Sequence, residues 1–137
     1  MTVIGVDDTD SRTRGMCTTY LATRLAARLS ADGASVRRKL LVRLNPAVEH
    51  KTRGNAALAL HTDADPDRAL SLAATELEPL AETDDPRTSP GVVVAPGSPD
   101  DVPNAVRSFS RRAVRDILDR ESAVNLAGRV GYHHRGW

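Results

Sequence analysis

A short apolar run at the start of the chain ends directly on closely spaced aspartates. The run is Thr2 to Val6, and the carboxylates after it belong to Asp7, Asp8 and Asp10. Carboxylates this close repel one another unless a cation neutralises them, and a hard cation such as Mg2+ prefers oxygen ligands of this kind. The pattern therefore predicts a buried strand whose end carries a Mg2+ site.

The alternation of side chains along a strand indicates which of these carboxylates bind the metal directly. If strand geometry continues past Val6, Asp8 and Asp10 converge on one side, so we expect them to be the direct metal ligands. Asp7 then points to the other side, where it orients a water molecule or a hydroxyl group. An Asp-rich turn that caps the following helix is the structural alternative.

A helix follows this loop, and its first residues are threonines. Leu21, Leu25 and Leu29 recur every four residues up to a stop at Asp32-Gly33, which predicts an amphipathic helix from about Thr18 to Ala31. Unpaired N–H groups and the positive end of the helix dipole suit an anion such as phosphate. Thr18 and Thr19 are therefore candidate phosphate contacts, with helix N-capping as the structural alternative.

Composition sets the limits of the interpretation. The chain has 137 residues and a net charge of +1, which fits one domain and gives no overall polycation. Cys17 is the only cysteine, which excludes an internal disulfide and a cysteine-based zinc site. We expect Cys17 to be a small buried filler, with a nucleophilic thiol at the helix start as the alternative. The absence of a long apolar run or a signal-like segment predicts a cytoplasmic location.

The remaining hydrophobic pattern predicts three more strands and two more helices. The strands are Val36 to Leu44, Asn55 to His61 and Gly91 to Ala95. One helix follows Asp65-Pro66, with Leu70, Ala73, Leu77 and Leu80 on its inner face, and the other runs from Asp100 to about Leu118. The resulting order predicts an α/β (α+β) two-layer sandwich, with a ferredoxin-like β-α-β-β-α-β core and a C-terminal helix. Segments 83–90 and 95–103 are predicted to be exposed loops.

A basic loop separates the second and third predicted strands. Lys51 supplies a point charge, Arg53 a guanidinium fork and Gly54 a position where the backbone can approach a ligand closely. These groups, with Asn55, are suited to clamp a triphosphate. A solvated basic turn is the structural alternative.

Two further patterns remain open at this stage. On the last predicted helix Arg107, Arg111 and Arg115 share one stripe, with Arg112 beside it. The stripe is suited either to a tRNA backbone or to the solvated face of an amphipathic helix. His133-His134 is interpreted as part of a flexible tail, with metal binding as the alternative.

The motifs taken together resemble those of one family. Four segments occur in the same order: Gly5-Val-Asp-Asp-Thr-Asp10, Gly15-Met-Cys-Thr-Thr-Tyr-Leu21, Arg43-Leu-Asn-Pro46 and Lys51-Thr-Arg-Gly-Asn55. They resemble the N-terminal part of the archaeal agmatinylcytidine synthetases that modify an isoleucine tRNA. The resemblance is close over most of residues 1–62. It implies a kinase-like domain that uses ATP to activate the wobble cytidine of that tRNA, so that agmatine is attached to the base.

The resemblance also implies roles for individual residues. Asp7, Asp8 and Asp10 are expected to hold metal and phosphate, and Thr18 is expected to become phosphorylated. The expected ATP-binding residues are Gly15, Thr18, Thr19, Lys51, Arg53, Gly54 and Asn55. Members of that family continue into ferredoxin-like, OB-type and zinc-ribbon domains, so residues 1–137 are expected to be the kinase-like domain alone.

Two other classes of protein remain as alternatives. Asp8-Thr-Asp10 after a strand is also similar to the haloacid-dehalogenase type of phosphotransferase, but that type needs a parallel, doubly wound sheet. A non-catalytic RNA-binding module is the second alternative. With one Phe, two Tyr and one Trp, the chain lacks the aromatic platform on which such modules stack bases.

Overall fold

The computed structural model describes residues 1–9, 11, 17–45 and 56–137. Within these ranges the chain forms strands, α-helices and one short 3-10 helix. In order they are β1 (Thr2–Asp7), α1 (Thr18–Ala31), β2 (Val36–Arg43), β3 (Ala56–Thr62), α2 (Pro66–Leu80), β4 (Gly91–Pro96), the 3-10 helix Pro99–Asp101, α3 (Asn104–Ala113), α4 (Arg120–Arg129) and β5 (His133–Gly136). None of the helices in these ranges has the length and apolar character needed to cross a membrane.

The strands form one five-stranded sheet in the order β2-β3-β1-β4-β5. Every neighbouring pair is antiparallel, and β1 lies at the centre with Ile4 opposite Leu60 of β3 and Val94 of β4. The predicted α/β class is confirmed, and the order of the first four strands is consistent with a ferredoxin-like core. The parallel sheet required by the haloacid-dehalogenase alternative is not what these strands form.

Helices α1 and α2 pack on one face of the sheet and bury β1 beneath them. The core joins leucines of α1, small and apolar residues of α2 and alternate residues of the central strands. These include Leu21, Leu25, Leu29, Ala69, Ala73, Leu77, Ile4, Val6, Leu60, Val92 and Val94. Burying one aliphatic side chain such as Ile4 or Val6 contributes about 1.5–3 kcal/mol, so the core anchors β1 beneath the two helices.

The predicted helix from Asp100 to Leu118 is wrong in its extent. The 3-10 helix ends at Asp101, and α3 begins only at Asn104 and ends at Ala113. The apolar spacing continues to Ile117, but the side chain of Ile117 is 77% exposed, so no core extends the helix to it. The carboxylate of Asp119 then accepts a hydrogen bond from the N–H of Ser122 and starts α4, which was not predicted.

The interpretation of His133-His134 as a flexible tail is also wrong. These residues form β5, in which His134 lies opposite Val93 and His133 opposite Val94. The Nδ1 atom of His133 lies 3.0 Å from Oδ1 of Asp67 at the start of α2. The sheet edge therefore orders this segment, which local composition alone does not reveal.

Candidate functional site

The central strand ends on the first carboxylate of the acidic loop. Asp7 is the last residue of β1, and Asp8 has a φ of 54°, in the left-handed region. The N–H of Asp8 donates to Oδ1 of Asp7 over 2.8 Å. Strand alternation therefore stops at Asp7 and does not by itself order the carboxylates that follow.

Two buried threonines join this loop to the start of α1. The hydroxyl of Thr9 donates to the hydroxyl of Thr18 over 2.9 Å. The side chain of Thr9 is 0% exposed and that of Thr18 is 7% exposed. Thr9 follows Asp8 directly in the sequence. This bond therefore holds the Thr18 hydroxyl next to the loop that carries the carboxylates.

The N-cap position of α1 is the residue before the two threonines. Cys17, half-buried, is the N-cap, and among the described residues no side-chain hydrogen bond caps this end. The alternative in which Thr18 or Thr19 is the N-cap is therefore wrong, since Thr18 is the first helical residue and Thr19 is exposed. The first turn carries no acidic residue, so the positive end of the helix dipole keeps its attraction for an anion.

The loop between α2 and β4 is a part of the site that sequence reasoning missed. The N–H of Ser89 donates to Oδ2 of Asp8 over 2.7 Å, and the N–H of Glu82 donates to the carbonyl of Thr9 over 3.0 Å. The hydroxyl of Ser11 donates to Oδ2 of Asp85 over 2.5 Å. We call residues 82–89 the clasp loop, because it holds the acidic loop from the side of β4.

The prediction of an exposed loop over residues 83–90 is therefore incomplete. Asp84 and Arg87 are exposed, but Asp85 is half-buried and Pro90 is buried. The loop is rich in Pro, Asp, Ser and Thr, which is typical of solvated turns. Its hydrogen-bond partners lie more than 70 positions away in sequence, so local composition does not reveal them. The only available signal was the pair Asp84-Asp85, a second acidic pair in an already acidic chain segment.

The donor atoms at the end of β1 fit a hard cation. Asp7 and Asp8 offer carboxylate oxygens, the ligand type that Mg2+ prefers. Within the described ranges no group of three or more His, Cys, Asp or Glu side chains is placed to hold a metal ion by itself. Mg2+ in nucleotide sites typically uses one or two protein carboxylates and completes its shell with phosphate oxygens and water. Asp7 and Asp8 are two carboxylates of that chemistry, and their role in metal binding stays a prediction.

The structure brings together only part of the predicted site. Asp7, Asp8 and Thr18 lie at the same end of the sheet, at the end of β1 and the start of α1. Several other predicted residues lie outside the described ranges: Asp10, Gly15, Lys51, Arg53, Gly54 and Asn55. The described part nevertheless combines carboxylates, a hydroxyl group and a helix N-terminus, which are groups that phosphoryl chemistry uses.

The family model and the related sequences that match this chain point to the same family. The model of the TiaS TCKD domain matches residues 3–64 and 60–136. The isoleucine-tRNA 2-agmatinylcytidine synthetase TiaS of Haloquadratum walsbyi is 56% identical over 138 residues, which cover 100% of this chain and 30% of that protein. The resemblance to agmatinylcytidine synthetases stated from the motifs is thus confirmed.

Solved structures agree with the sequence comparison. A complex of TiaS with its isoleucine tRNA and ATP matches with a TM-score of 0.81 and 32% identity, over 98% of this chain and 32% of that one. A complex of TiaS with the same tRNA, AMPCPP and agmatine matches with a TM-score of 0.81 and 29% identity, over 98% and 32% of the two chains.

The extent of these matches is as informative as their strength. The chain spans about 30% of the length of the curated relatives it matches. The family model, in contrast, accounts for all of residues 3–136 in two overlapping segments. The end of β1, the start of α1 and the clasp loop all lie inside this match, and the chain belongs to the TiaS TCKD domain family.

Proposed function

We propose that this chain is the ATP-using domain of an enzyme that attaches agmatine to the wobble cytidine of an isoleucine tRNA. The relatives named above are synthetases of 2-agmatinylcytidine, and their complexes contain an isoleucine tRNA with ATP, or with AMPCPP and agmatine. This chain spans only about 30% of those relatives, and the proposal assigns tRNA selection and agmatine binding to the remaining parts of the enzyme. In the proposal those parts are the ferredoxin-like, OB-type and zinc-ribbon domains.

One observation supports this role above the others. The hydrogen bond from Thr9 to Thr18 connects the acidic loop to the first turn of α1 within 2.9 Å. A hydroxyl acceptor, carboxylates and a helix N-terminus are thereby held in one small region. Phosphoryl transfer depends mainly on positioning and charge neutralisation, and this arrangement provides for both.

The proposed chemistry assigns a role to each residue. Asp8 and Asp10 hold Mg2+, and Asp7 orients the attacking hydroxyl. Bound Mg2+ supplies charge neutralisation on the phosphates. Lys51 and Arg53 neutralise the charge that develops on the transferred group. The residues that contact the bound nucleotide are Gly15, Thr19, Gly54 and Asn55.

Two acceptors are proposed for the transferred group. Without tRNA, the Oγ1 atom of Thr18 forms a bond to the γ-phosphorus of ATP while the bond from that phosphorus to ADP breaks. The proton of the Thr18 hydroxyl passes to the carboxylate of Asp7. In the full tRNA complex the accepting oxygen belongs to the cytidine base, which prepares that position for agmatine.

Mass spectrometry tests the first acceptor directly. The chain is incubated with ATP and Mg2+, and its intact mass and peptides are compared among wild type, Thr18→Ala and the control Thr19→Ala. We expect one phosphoryl group on Thr18 that is lost in Thr18→Ala and kept in Thr19→Ala. A base-labile phosphoryl group on Asp8, or ATP binding with no modification of Thr18, would overturn the assignment.

Nucleotide binding tests the metal ligands separately. Asp8→Asn and Asp10→Asn remove one negative charge each with little change in size, so Mg2+-dependent ATP binding should be lost in calorimetric titrations. Unchanged binding in both variants would remove the metal site from the proposal. RNA binding without ATP binding would favour the non-catalytic RNA-binding alternative.

A further inference from the structure

The positive charge of this chain is concentrated in its two C-terminal helices. Residues 104–129 contain six arginines and three acidic residues, whereas the whole chain carries a net charge of only +1. Outside this segment acidic residues are therefore in slight excess. Helix α3 contains no buried residue, so packing against the core does not explain its sequence.

Some arginines of α3 and of the turn after it are engaged within the fold, and others are exposed to solvent. Arg107 is engaged within the fold, since its guanidinium donates to the carbonyls of Val102, Pro99 and Asp100. Arg111 and Arg115 are exposed, and among the described residues neither side chain has a hydrogen bond or an ion pair. Only the last part of the arginine stripe is thus available to an external anion.

The turn after α3 lies at the same end of the sheet as the acidic loop. The Nδ2 atom of Asn45, just after β2, donates to the carbonyl of Arg115 over 3.0 Å. Strand β2 runs parallel to β1, because both pair antiparallel with β3, so Asn45 and Asp7 lie at the same end of the sheet. With neighbouring strands about 4.8 Å apart, only about 10 Å separates the axes of β1 and β2.

A groove between α3 and α4 extends this surface. It is lined by Ala105, Ser108, Phe109, Arg112, Ser122, Asn125, Leu126 and Arg129. Arg112 on one wall and Arg129 on the other supply guanidinium groups, and the serines and the amide add neutral donors. Phosphodiester oxygens accept hydrogen bonds from groups of this type. A single guanidinium group can donate two hydrogen bonds to one phosphate.

We propose that Arg111, Arg112, Arg115 and Arg129, the α3–α4 basic surface, bind the phosphate backbone of the RNA substrate and lead it to the end of the sheet that carries the acidic loop. The inference rests on the proposed function, because it assigns a surface to the RNA whose base is modified. The acceptor base is delivered to Thr18 and the carboxylates only if the backbone is held nearby. Arginines at this end of the sheet provide that hold without reading sequence.

The salt dependence of RNA binding tests this surface. Affinity for an unmodified isoleucine tRNA transcript with a wobble cytidine is measured by fluorescence anisotropy at a series of KCl concentrations. Removing two phosphate contacts with Arg111→Gln/Arg115→Gln should lower the slope of log K against log salt by about 1.4–1.8. Gln has nearly the helix propensity of Arg, so α3 is expected to persist, which circular dichroism checks.

A matched control separates position from net charge. Arg37→Gln/Arg38→Gln removes the same charge from the start of β2, where Arg38 lies opposite His61 and His61 opposite Val3. That end of the sheet is remote from Asp7, so the slope should stay that of the wild type. Equal slopes for both double variants, or no RNA binding by the unaltered chain at low salt, would overturn the proposed surface.

The same variants distinguish this inference from the proposed function. Phosphorylation of Thr18 by ATP should be unchanged in Arg111→Gln/Arg115→Gln, because these residues lie on α3 and in the turn after it, and not at the proposed nucleotide site. If Thr18 is phosphorylated but the salt slope does not change, the RNA surface fails and the ATP role stands. If the slope changes but Thr18 is never phosphorylated, the ATP role fails and the RNA surface stands.

Discussion

The hydroxyl of Thr9 donates to the hydroxyl of Thr18 across 2.9 Å, and both side chains are buried. A buried hydroxyl that accepts in this way is held in one orientation, since leaving it unpaired costs free energy. The acidic loop and the first turn of α1 are therefore coupled. A change at Thr9 should be detected at Thr18.

Replacing Thr9 by valine should destabilise the fold and impair the Thr18 hydroxyl. Thr9→Val removes the donor but keeps the branched shape, and the unsatisfied partner should cost about 1–2 kcal/mol in the free energy of unfolding. Urea denaturation measures this loss, and mass spectrometry measures phosphorylation of Thr18. Thr9→Ser keeps the hydroxyl and serves as the control. A Thr9→Val variant with wild-type stability and phosphorylation would contradict the coupling.

Removing the carboxylate of Asp85 should loosen the clasp loop without unfolding the domain. Asp85→Ala deletes the acceptor of the Ser11 hydroxyl and of the Arg87 N–H. Hydrogen exchange of the Glu82 and Ser89 amides should therefore become faster, while amides of the core strands keep their protection. Thr83→Ala, at an exposed position of the same loop, should leave both amides unchanged. Equal exchange in the two variants would mean that Asp85 does not hold the loop.

The left-handed backbone at Asp8 predicts an unusual order of stability. Residue 8 has a φ of 54°, a conformation that costs an alanine roughly 1–2 kcal/mol and a glycine much less. Asp8→Gly should therefore be more stable than Asp8→Ala by about 1 kcal/mol, although neither keeps the carboxylate. Thermal unfolding of the pair checks this. If alanine is the more stable, the backbone here is not left-handed.

The ion pair between Asp32 and Arg68 predicts a loss of stability in acid. Hydrogen bonds and charge from Arg68 hold the pKa of Asp32 below its ordinary value of 3.8. A depressed folded-state pKa contributes stability that is fully present above 3.8 and is lost as the pH falls through the lower, folded value. Both side chains are solvent-accessible, so the effect should be small and should weaken with added salt.

Urea denaturation across this pH range tests the pair. The wild type should lose more stability on acidification than Asp32→Asn, and Arg68→Gln should reduce the difference between the two. The double variant completes the cycle and isolates the interaction from single-site effects. Parallel pH profiles for the wild type and Asp32→Asn would show that the pair contributes nothing.

The elements of the central fold were predictable because their local signals agree with their burial. Helix α1 begins and ends at the predicted residues, since Leu21, Leu25 and Leu29 are all buried on one face. Helix α2 begins where Asp65 caps the N–H of Arg68 and Pro66 supplies its first residue. In both helices the residues that set the pattern also make the core.

Prediction failed where the deciding contact is distant in sequence. His133-His134 forms a strand only because β4 offers a free edge, and Ile117 extends an apolar pattern that meets no core. The clasp loop is a similar case, because Ser89 and Asp8 are 81 positions apart. For the candidate site itself, the structure links Thr18 to Thr9 by a hydrogen bond, and the roles assigned to Asp7, Asp8 and Thr18 stay predictions.

The clasp loop also has a consequence for folding order. All four motifs that resemble the family lie within residues 1–55, yet the acidic loop is held by residues 82–89. Those contacts join residues 74 and 81 positions apart, and closure over such long separations is slow compared with helix formation. We expect a chain that carries every motif but lacks residues 82–89 to lose the hydrogen bonds that the Asp8 carboxylate and the Ser11 hydroxyl make with that loop. The arrangement of the acidic loop is thus a product of the tertiary fold and not of the motif segments alone.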